Sequence, residues 1–218
     1  VLDYHNPARA AAYESLKLLQ VRATGETRTS ERPRRALTPA DADRMLRVWR
    51  GDTTPRGRRN QALVAVALLT GLRASELAAL TWQDIDLDAG VIHVAHGKGD
   101  KVRDVALYGQ AAQDALQAWR PEQPAGYHQV FVGFRGRGGA FTGDKPMTTT
   151  AVWQVVVETA TAAGVGHVKP HDLRRTLATE LLETGAPVHH VKEQLGHANA
   201  QTTLQNYTGK VDAQARRR

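Results

Sequence analysis

Apolar residues recur at helical spacing along most of this chain. The pattern predicts helices over nine segments: 8–19, 38–49, 58–70, 74–80, 110–119, 149–163, 172–184, 188–195 and roughly 200–207. Apolar and polar residues alternate over 91–94 and 102–107, which predicts two strands of a hairpin around 96–100. We therefore expect a fold that is mainly α with a small antiparallel β-sheet, an α+β class.

Residues that favour helix ends mark two of these segments. Thr38 and Asp41 supply an N-cap and a first-turn acid, and Pro39 stands at the first helical position. Gly71 follows an apolar helical segment and can take the left-handed conformation that often ends a helix. We expect Arg73 to lie just beyond that helix end.

The first 35 residues differ from the rest of the chain. Segment 8–19 predicts one helix, and a single helix cannot form a domain. Segment 24–35 is rich in Gly, Thr, Ser, Arg and Pro, which is typical of a basic linker, although a merely solvated tether would have the same composition. We predict a helix with a linker over 1–35 and one domain over 36–218. A first residue that is Val and not Met suggests a fragment or a processed chain.

A glycine-rich segment, 133–143, separates two helical patterns and contains Arg135 and Arg137. Such clusters are typical of connections on the protein surface. We predict an exposed, mobile loop there, whose arginines could contact phosphates.

Charge and composition narrow the class of partner. Lys and Arg number 29 against 22 Asp and Glu, a net charge of +7, and arginine, whose planar fork suits phosphate oxygens, outnumbers lysine. A polyanion such as DNA is the natural partner, although many basic proteins bind none.

The absence of cysteine excludes disulfides, a thiolate nucleophile and Cys-based metal sites. The longest apolar run, 62–69, is too short to span a bilayer, so we expect a cytoplasmic protein.

Two of five polar segments lie in the first half of the domain. In TGLRASEL, Arg73 and Glu76 stand one helical turn apart and could pair, although an ordinary surface ion pair has the same spacing. In GKGDKVR, glycines would let the backbone approach a ligand, and Lys98, Lys101 and Arg103 project from a short stretch. Lys98 could serve as a proton donor, and a solvated turn is the alternative.

The other three segments follow towards the C-terminus. In HDLRR, His171 stands at a predicted helix start and Arg174 one turn further along the same face. A helix cap with a surface charge would have the same sequence. Gly196 ends the next predicted helix and His197 follows it, and Tyr207 stands late in a short polar helix. None of these segments indicates a function alone.

The five segments in this order resemble the catalytic signature of the tyrosine recombinase (phage integrase) family over about residues 37–207. The resemblance implies the catalytic-domain fold of that family and the cleavage and rejoining of DNA at specific sites. The implied site residues are the phosphate-clamping Arg73 and Arg174, the hairpin Lys98, the active-site His171 and His197, the supporting acid Glu76 and the nucleophile Tyr207. It also implies that 1–35 retains the last helix of a smaller domain that clasps DNA.

The segment before the tyrosine departs from the family pattern. Tyr207 follows His197 by ten residues, where we expect nine, so the helix that carries Tyr207 is predicted to be shifted, kinked or looped out. We expect its hydroxyl to lie away from Arg73 and Arg174 without DNA. No other tyrosine stands in a matching segment.

The partners implied are double-stranded DNA and further copies of the chain. We expect DNA contacts from five basic residues outside the catalytic set: Lys101, Arg103, Arg135, Arg137 and Arg175. A homotetramer on paired sites, accessory DNA-bending or activating proteins and an association with the nucleoid follow from the resemblance. No membrane partner is expected.

The reaction implied requires no metal ion, ATP or other cofactor. A tyrosine hydroxyl with a pKa near 10 is a weak nucleophile at neutral pH, so two guanidinium groups would stabilise the charge that develops on phosphorus. His171 could take the phenolic proton, Lys98 would protonate the 5′ oxygen, and His197 would donate to the phosphate. His189 and His190 lack metal-ligand spacing, and we interpret them as structural.

Two alternatives stay open. A type IB topoisomerase or a telomere resolvase would share these residues, but the short segment between LGH and the tyrosine favours a recombinase. A DNA-binding module of the same fold that lacks catalysis would need none of these residues, yet every catalytic position is filled.

Overall fold

A computed structural model describes residues 36–95, 102–136 and 139–196. Its helices are α1 (Pro39–Arg47), α2 (Pro55–Thr70), α3 (Ala74–Ala79), α4 (Gln110–Trp119), α5 (Thr149–Ala162), α6 (Pro170–Glu183) and α7 (Val188–Leu195). Its strands are β1 (Ile85–Asp86), β2 (Val91–Ala95), β3 (Val102–Ala106), β4 (Val132–Arg135) and β5 (Ala140–Pro146). The predicted mainly helical fold with small antiparallel sheets is confirmed.

Helix α2 forms the centre of the domain. It begins three residues earlier than the predicted helix because the Thr54 hydroxyl accepts from the backbone N–H of Gly57, at 3.0 Å, and Pro55 fills the first helical position. Residues 62–70 are all buried. The helix ends where predicted, at Gly71, whose φ of 68° is left-handed. The buried C-terminal half of this helix fixes its end, so the segment after Gly71 has a defined position.

The predicted hairpin is present and carries a third short strand. Strands β1, β2 and β3 pair in that order, all antiparallel, and Val94 lies opposite Arg103. The hairpin tip, 96–101, lies outside the described residues. Gln194 of α7 hydrogen-bonds to the backbone N–H and carbonyl oxygen of Ala106 on β3, both at 2.9 Å, so the hairpin is held against the helix that precedes His197.

The prediction of a mobile loop over 133–143 is wrong for the residues described. Strands β4 and β5 pair antiparallel there, with Phe134 opposite Phe141 at a ring-centroid distance of 5.0 Å. Both rings pack against the buried Trp119, at 6.3 and 6.2 Å. Burial of these two aromatic residues stabilises a hairpin that the glycine content alone does not predict.

Helices α6 and α7 pack through a separate small apolar cluster, in which Leu177, Leu181, Val191 and Leu195 are at most 2% exposed. This contact brings the end of α7 beside the start of α6. Of the helices described, none is long and apolar enough to cross a membrane.

Candidate active site

Arg174 is buried at the centre of the site. It lies on the first turns of α6, is 2% exposed, and donates through Nη1 to the carbonyl oxygen of Gly71 at 2.7 Å and through Nη2 to that of Leu195. A buried guanidinium requires such acceptors because desolvation without hydrogen bonds is strongly unfavourable. Arg174 therefore ties the end of α2 to the end of α7.

Arg73 lies beside Arg174 and is more exposed, with 42% of its side chain accessible. As predicted, it follows the helix end at Gly71 and pairs with Glu76, whose Oε1 lies 2.7 Å from Arg73 Nη1. The Nη2 atom donates to the carbonyl oxygen of Gly196 at 2.9 Å. The two arginines thus use the carbonyl groups of adjacent residues, in a turn where Gly196 has a left-handed φ of 61°.

Glu76 is more buried, and contacts more residues, than the surface ion pair that its spacing from Arg73 predicts. Its side chain is 12% exposed and also binds Arg103, with Oε1 to Nη1 at 3.0 Å and Oε2 to Nη2 at 2.8 Å. Burial would raise the pKa of Glu76, but the hydrogen bonds from Arg103 and from the Arg73 backbone N–H lower it to about 2. The carboxylate is therefore ionised at any physiological pH. Sequence spacing predicted the Arg73 contact and missed the Arg103 contact.

His171 lies at the predicted helix start, one residue after Pro170, and its ring is exposed to the cleft. Partial burial lowers the pKa of His171, and the positive charges of Arg174 and Arg175 lower it further. A histidine with a lowered pKa is neutral at pH 7 and has a ring nitrogen that can accept a proton. The site contains a candidate general base beside its cations.

A cleft of about 540 Å³ opens over these residues. The side chains that line it come from the segment after α2 and from the starts of α5 and α6. They include three candidates for contact with a ligand that were not predicted: Thr149, Thr150 and Lys169. Trp153, which is 38% exposed, forms another part of the wall. No sequence motif distinguished these four residues from an ordinary helix surface.

Gln194 is a further residue that the sequence analysis missed. It is 5% exposed, and its amide donates to the carbonyl oxygens of Thr70 and Ala106, at 3.0 and 2.9 Å, and accepts from the Ala106 N–H at 2.9 Å. It therefore joins α7 to the end of α2 and to β3. A glutamine in a polar helical segment gives no signal of such burial.

Some of the predicted site residues cannot be placed. The catalytic candidates Lys98, His197 and Tyr207, and the DNA-contact candidates Lys101 and Arg137, lie outside the described residues, as does all of 1–35. The predicted orientation of the Tyr207 hydroxyl therefore stays a prediction.

The other basic residues differ in exposure. Arg135 is exposed on β4, and Arg175 is half-buried on α6 beside Arg174. The Arg103 guanidinium lies on Glu76, with 10% of its side chain exposed. Within the described ranges, no cluster of three or more His, Asp or Glu could hold a metal ion, and the rings of His189 and His190 lie 4.2 Å apart.

The mainly helical fold with small antiparallel sheets is that of a tyrosine recombinase catalytic domain. The chain belongs to the phage integrase family, whose model matches residues 35–214.

Individual relatives agree with this assignment. The chain is 37% identical to a tyrosine recombinase XerC from Corynebacterium efficiens, over 80% of this chain and 54% of the relative. It is 33% identical to a tyrosine recombinase XerD from Neisseria meningitidis, over 92% and 72%. The chain thus spans about half the length of the first of these relatives.

Solved structures show the same fold. The crystal structure of XerA recombinase matches with a TM-score of 0.69 and 30% identity, over 92% of this chain and 69% of that one. XerH site-specific recombinase bound to difH substrate, in a pre-cleavage complex, matches with a TM-score of 0.64 and 25% identity, over 88% and 55%.

Proposed function

We propose that this chain is the catalytic part of a site-specific recombinase that cleaves and rejoins double-stranded DNA through a covalent 3′-phosphotyrosine on Tyr207. The observation that carries the proposal is the placement of Arg73 and Arg174 on adjacent carbonyl groups beside a cleft that also contains His171. The XerH complex supports DNA as the partner, because that relative is bound to its difH substrate.

The arginine pair would bind the non-bridging oxygens of the scissile phosphate. A guanidinium has five N–H donors in a fixed fork, so Arg73 and Arg174 can keep their carbonyl partners and still donate to a phosphate. Their protein partners hold the forks in place before DNA binds, which lowers the reorganisation required in the transition state. The loss of one such donor typically raises a barrier by roughly 3–4 kcal/mol.

The chemical step would proceed by in-line attack. The Tyr207 oxygen forms a bond to phosphorus, the bond from phosphorus to the 5′ oxygen breaks, and the phenolic proton passes to the neutral His171 ring. Lys98 would give a proton to the departing 5′ oxygen, and His197 would donate a hydrogen bond to the phosphate. A 5′ hydroxyl of another strand then attacks the phosphotyrosine and releases Tyr207.

The bond energy is kept in the phosphotyrosine, so the proposed cycle uses no ATP. The guanidinium groups would supply the charge stabilisation that a metal ion supplies in other phosphoryl-transfer enzymes, so we propose that the reaction is also metal-independent.

The wider DNA interface would use the remaining cations. We propose DNA contacts by Lys101, Arg135, Arg137 and Arg175, in keeping with the net charge of +7. We also propose that residues 36–218 form the catalytic domain and that 1–35 comprises the last helix of a DNA-clasping domain and a basic linker. Four copies would assemble on paired sites, with accessory DNA-bending or activating proteins as further partners.

The test is covalent trapping on DNA. The chain is incubated with a pool of nicked duplexes of randomised sequence, in which the short strand beyond the cleaved bond diffuses away, and adducts resistant to denaturant are isolated and sequenced. We expect adducts on a defined sequence with wild type and none with Tyr207→Phe. The control is Tyr127→Phe, which removes the same oxygen from a residue that does not line the cleft.

Two results would contradict the proposal. Undiminished adducts with Tyr207→Phe would show that Tyr207 is not the nucleophile. The absence of adducts with wild type would favour a DNA-binding module that lacks catalysis. Relaxation of a supercoiled plasmid that lacks the selected sequence would favour a topoisomerase.

A further inference from the structure

Arg103 lies where strand β3 meets the active-site turn. Its side chain is only 10% exposed, and both Nη atoms donate to the Glu76 carboxylate, at 3.0 and 2.8 Å. A guanidinium held by two parallel hydrogen bonds has a fixed orientation as well as a fixed charge. The Arg103 side chain is thus fixed by contacts within the protein, whereas Arg135 on β4 is exposed to solvent.

Glu76 is shared between two arginines. Its Oε1 accepts from Nη1 of both Arg73 and Arg103, at 2.7 and 3.0 Å, and its Oε2 accepts from the Arg73 backbone N–H and from Arg103 Nη2, both at 2.8 Å. One carboxylate balances only one guanidinium, so the group of three keeps a net positive charge. Two of these four hydrogen bonds to the carboxylate that pairs with Arg73 come from Arg103.

The second acceptor of Arg73 also contacts Arg103. A Cβ atom added to Gly196 would lie 2.7 Å from Arg103 Nε, so the Arg103 side chain packs directly against the backbone whose carbonyl group accepts from Arg73. Strand β3 is also held against α7 by Gln194, which makes two hydrogen bonds to Ala106 of β3 and one to Thr70 of α2. Both groups that accept from the Arg73 guanidinium are therefore in contact with Arg103.

We propose that Arg103 is a positioning residue for Arg73, acting through Glu76 and Gly196, and that this is its main role in place of the DNA contact predicted from the sequence. The consequence for catalysis rests on the proposed function, whereas the structural consequence for Arg73 does not. Arg103 orients the exposed member of the arginine pair before DNA arrives.

The kinetic test compares two substrates that differ at the phosphate. One carries the ordinary scissile phosphate in the sequence selected from the nicked pool, and the other carries a methylphosphonate of either configuration, in which a neutral methyl group replaces one charged oxygen. A neutral phosphonate develops less negative charge in the transition state, so its cleavage depends less on a well-oriented arginine. The variants are Arg103→Met, Arg103→Lys and, as a matched control for stability alone, Val191→Ala in the core of α7.

We expect Arg103→Met at saturating DNA to cleave the phosphate substrate about 10- to 100-fold more slowly, and the methylphosphonate less than about threefold more slowly. Arg103→Lys should recover part of the loss because it keeps the charge. Val191→Ala should lower Tm and change both substrates equally. An equal fall in the cleavage rate of both substrates with Arg103→Met would overturn the proposal. Normal cleavage at saturating DNA, together with a salt dependence of DNA affinity whose slope is reduced by about one, would also overturn it, because that result indicates a lost phosphate contact.

A second measurement needs neither DNA nor activity. In protein labelled with ¹⁵N-arginine, the Nε–H resonance of Arg73, assigned by its absence in Arg73→Lys, reports how firmly that guanidinium is held. We expect faster solvent exchange in Arg103→Met and no change in Val191→Ala, and an unchanged Arg73 signal in Arg103→Met would overturn the proposal. If wild type forms no adduct, the proposed function fails and this measurement still decides the role of Arg103.

Discussion

The guanidinium groups of Arg73 and Arg174 donate to the carbonyl oxygens of two adjacent residues, Gly196 and Leu195. One arginine follows α2 and the other lies on α6, 101 positions later in the sequence. The turn at the end of α7 therefore sets the distance between them, and any change that moves this turn moves both arginines together.

Arg174→Lys should lose both activity and stability. Lysine has one ammonium group in place of the fork, so it cannot donate to Gly71 and Leu195 as Arg174 does, and each buried carbonyl left unpaired costs about 1–3 kcal/mol. Adduct formation should fall by about 10²- to 10³-fold. Urea unfolding and trapping measure the two effects.

Arg73→Lys is the matched comparison, because its side chain is 42% exposed. It should lose adduct formation to a similar extent and less of the free energy of unfolding. Equal losses of stability in the two variants would contradict the different burial of the two arginines.

Gly196→Ala should disturb the turn itself. Its φ of 61° disfavours any side chain, and the added Cβ would lie 2.7 Å from Arg103 Nε. Gly164→Ala is the control, since its φ of 65° is similar but nothing lies within 4 Å of the added Cβ. We expect a conformational cost of about 1–2 kcal/mol in both, and an additional loss of stability and of adduct formation in Gly196→Ala only. Equal thermal shifts in the two variants would refute a tight packing of Arg103 on the turn.

Gln194→Met should destabilise the domain while it keeps the volume of the side chain. The substitution leaves the buried polar groups of Thr70 and Ala106 without their partner, at about 1–3 kcal/mol for each group. Glu193→Met, at the exposed position before it, should change the free energy of unfolding by less than about 0.5 kcal/mol. Chemical denaturation measures the free energy of unfolding of both variants. An unchanged value in Gln194→Met would show that these hydrogen bonds contribute little to stability.

Glu76 should make stability depend on pH in the acid range. Its pKa falls from 4.5 to about 2 on folding, so its contribution is fully present above about pH 4.5 and is lost as the pH falls towards 2. At about 1.4 kcal/mol per pH unit, and with part of the carboxylate screened by solvent, the contribution of Glu76 to the free energy of unfolding is at most about 3 kcal/mol. The free energy of unfolding of wild type and Glu76→Gln, measured from neutral pH down to about pH 3, should converge as the pH falls. Parallel curves would contradict the lowered pKa.

Protonation of His171 should determine the acid limb of the pH profile of the cleavage rate. Burial and the charges of Arg174 and Arg175 lower its pKa below the ordinary histidine value, so the neutral ring predominates at pH 7. The single-turnover rate should rise with pH on the acid side, with a midpoint below the ordinary histidine pKa. His171→Gln should remove this limb and lower the plateau by about 10²- to 10⁴-fold. A limb that persists in His171→Gln would assign the proton transfer to another group.

Local signals determined most of the helices and the order of the candidate site residues. Helical spacing, the cap at Thr38 and the glycine at 71 act over a few residues, so the sequence alone predicted α4 and α7 to the residue and the end of α2. The proximity of Arg73 to Glu76 was predictable for the same reason.

Only the tertiary structure decided the contacts between distant segments. The fork of Arg103 on Glu76, the bridge made by Gln194 and the β-hairpin at Phe134 and Phe141 depend on burial, which is a property of the packed domain. An isolated arginine, glutamine or glycine-rich stretch has the same local preferences on a surface as in a core. The sequence by itself therefore determined which residues are candidates for the site. The packing of α7 and β3 against α2 decided how the arginines are held, because hydrogen bonds to buried carbonyl groups form only when those elements meet.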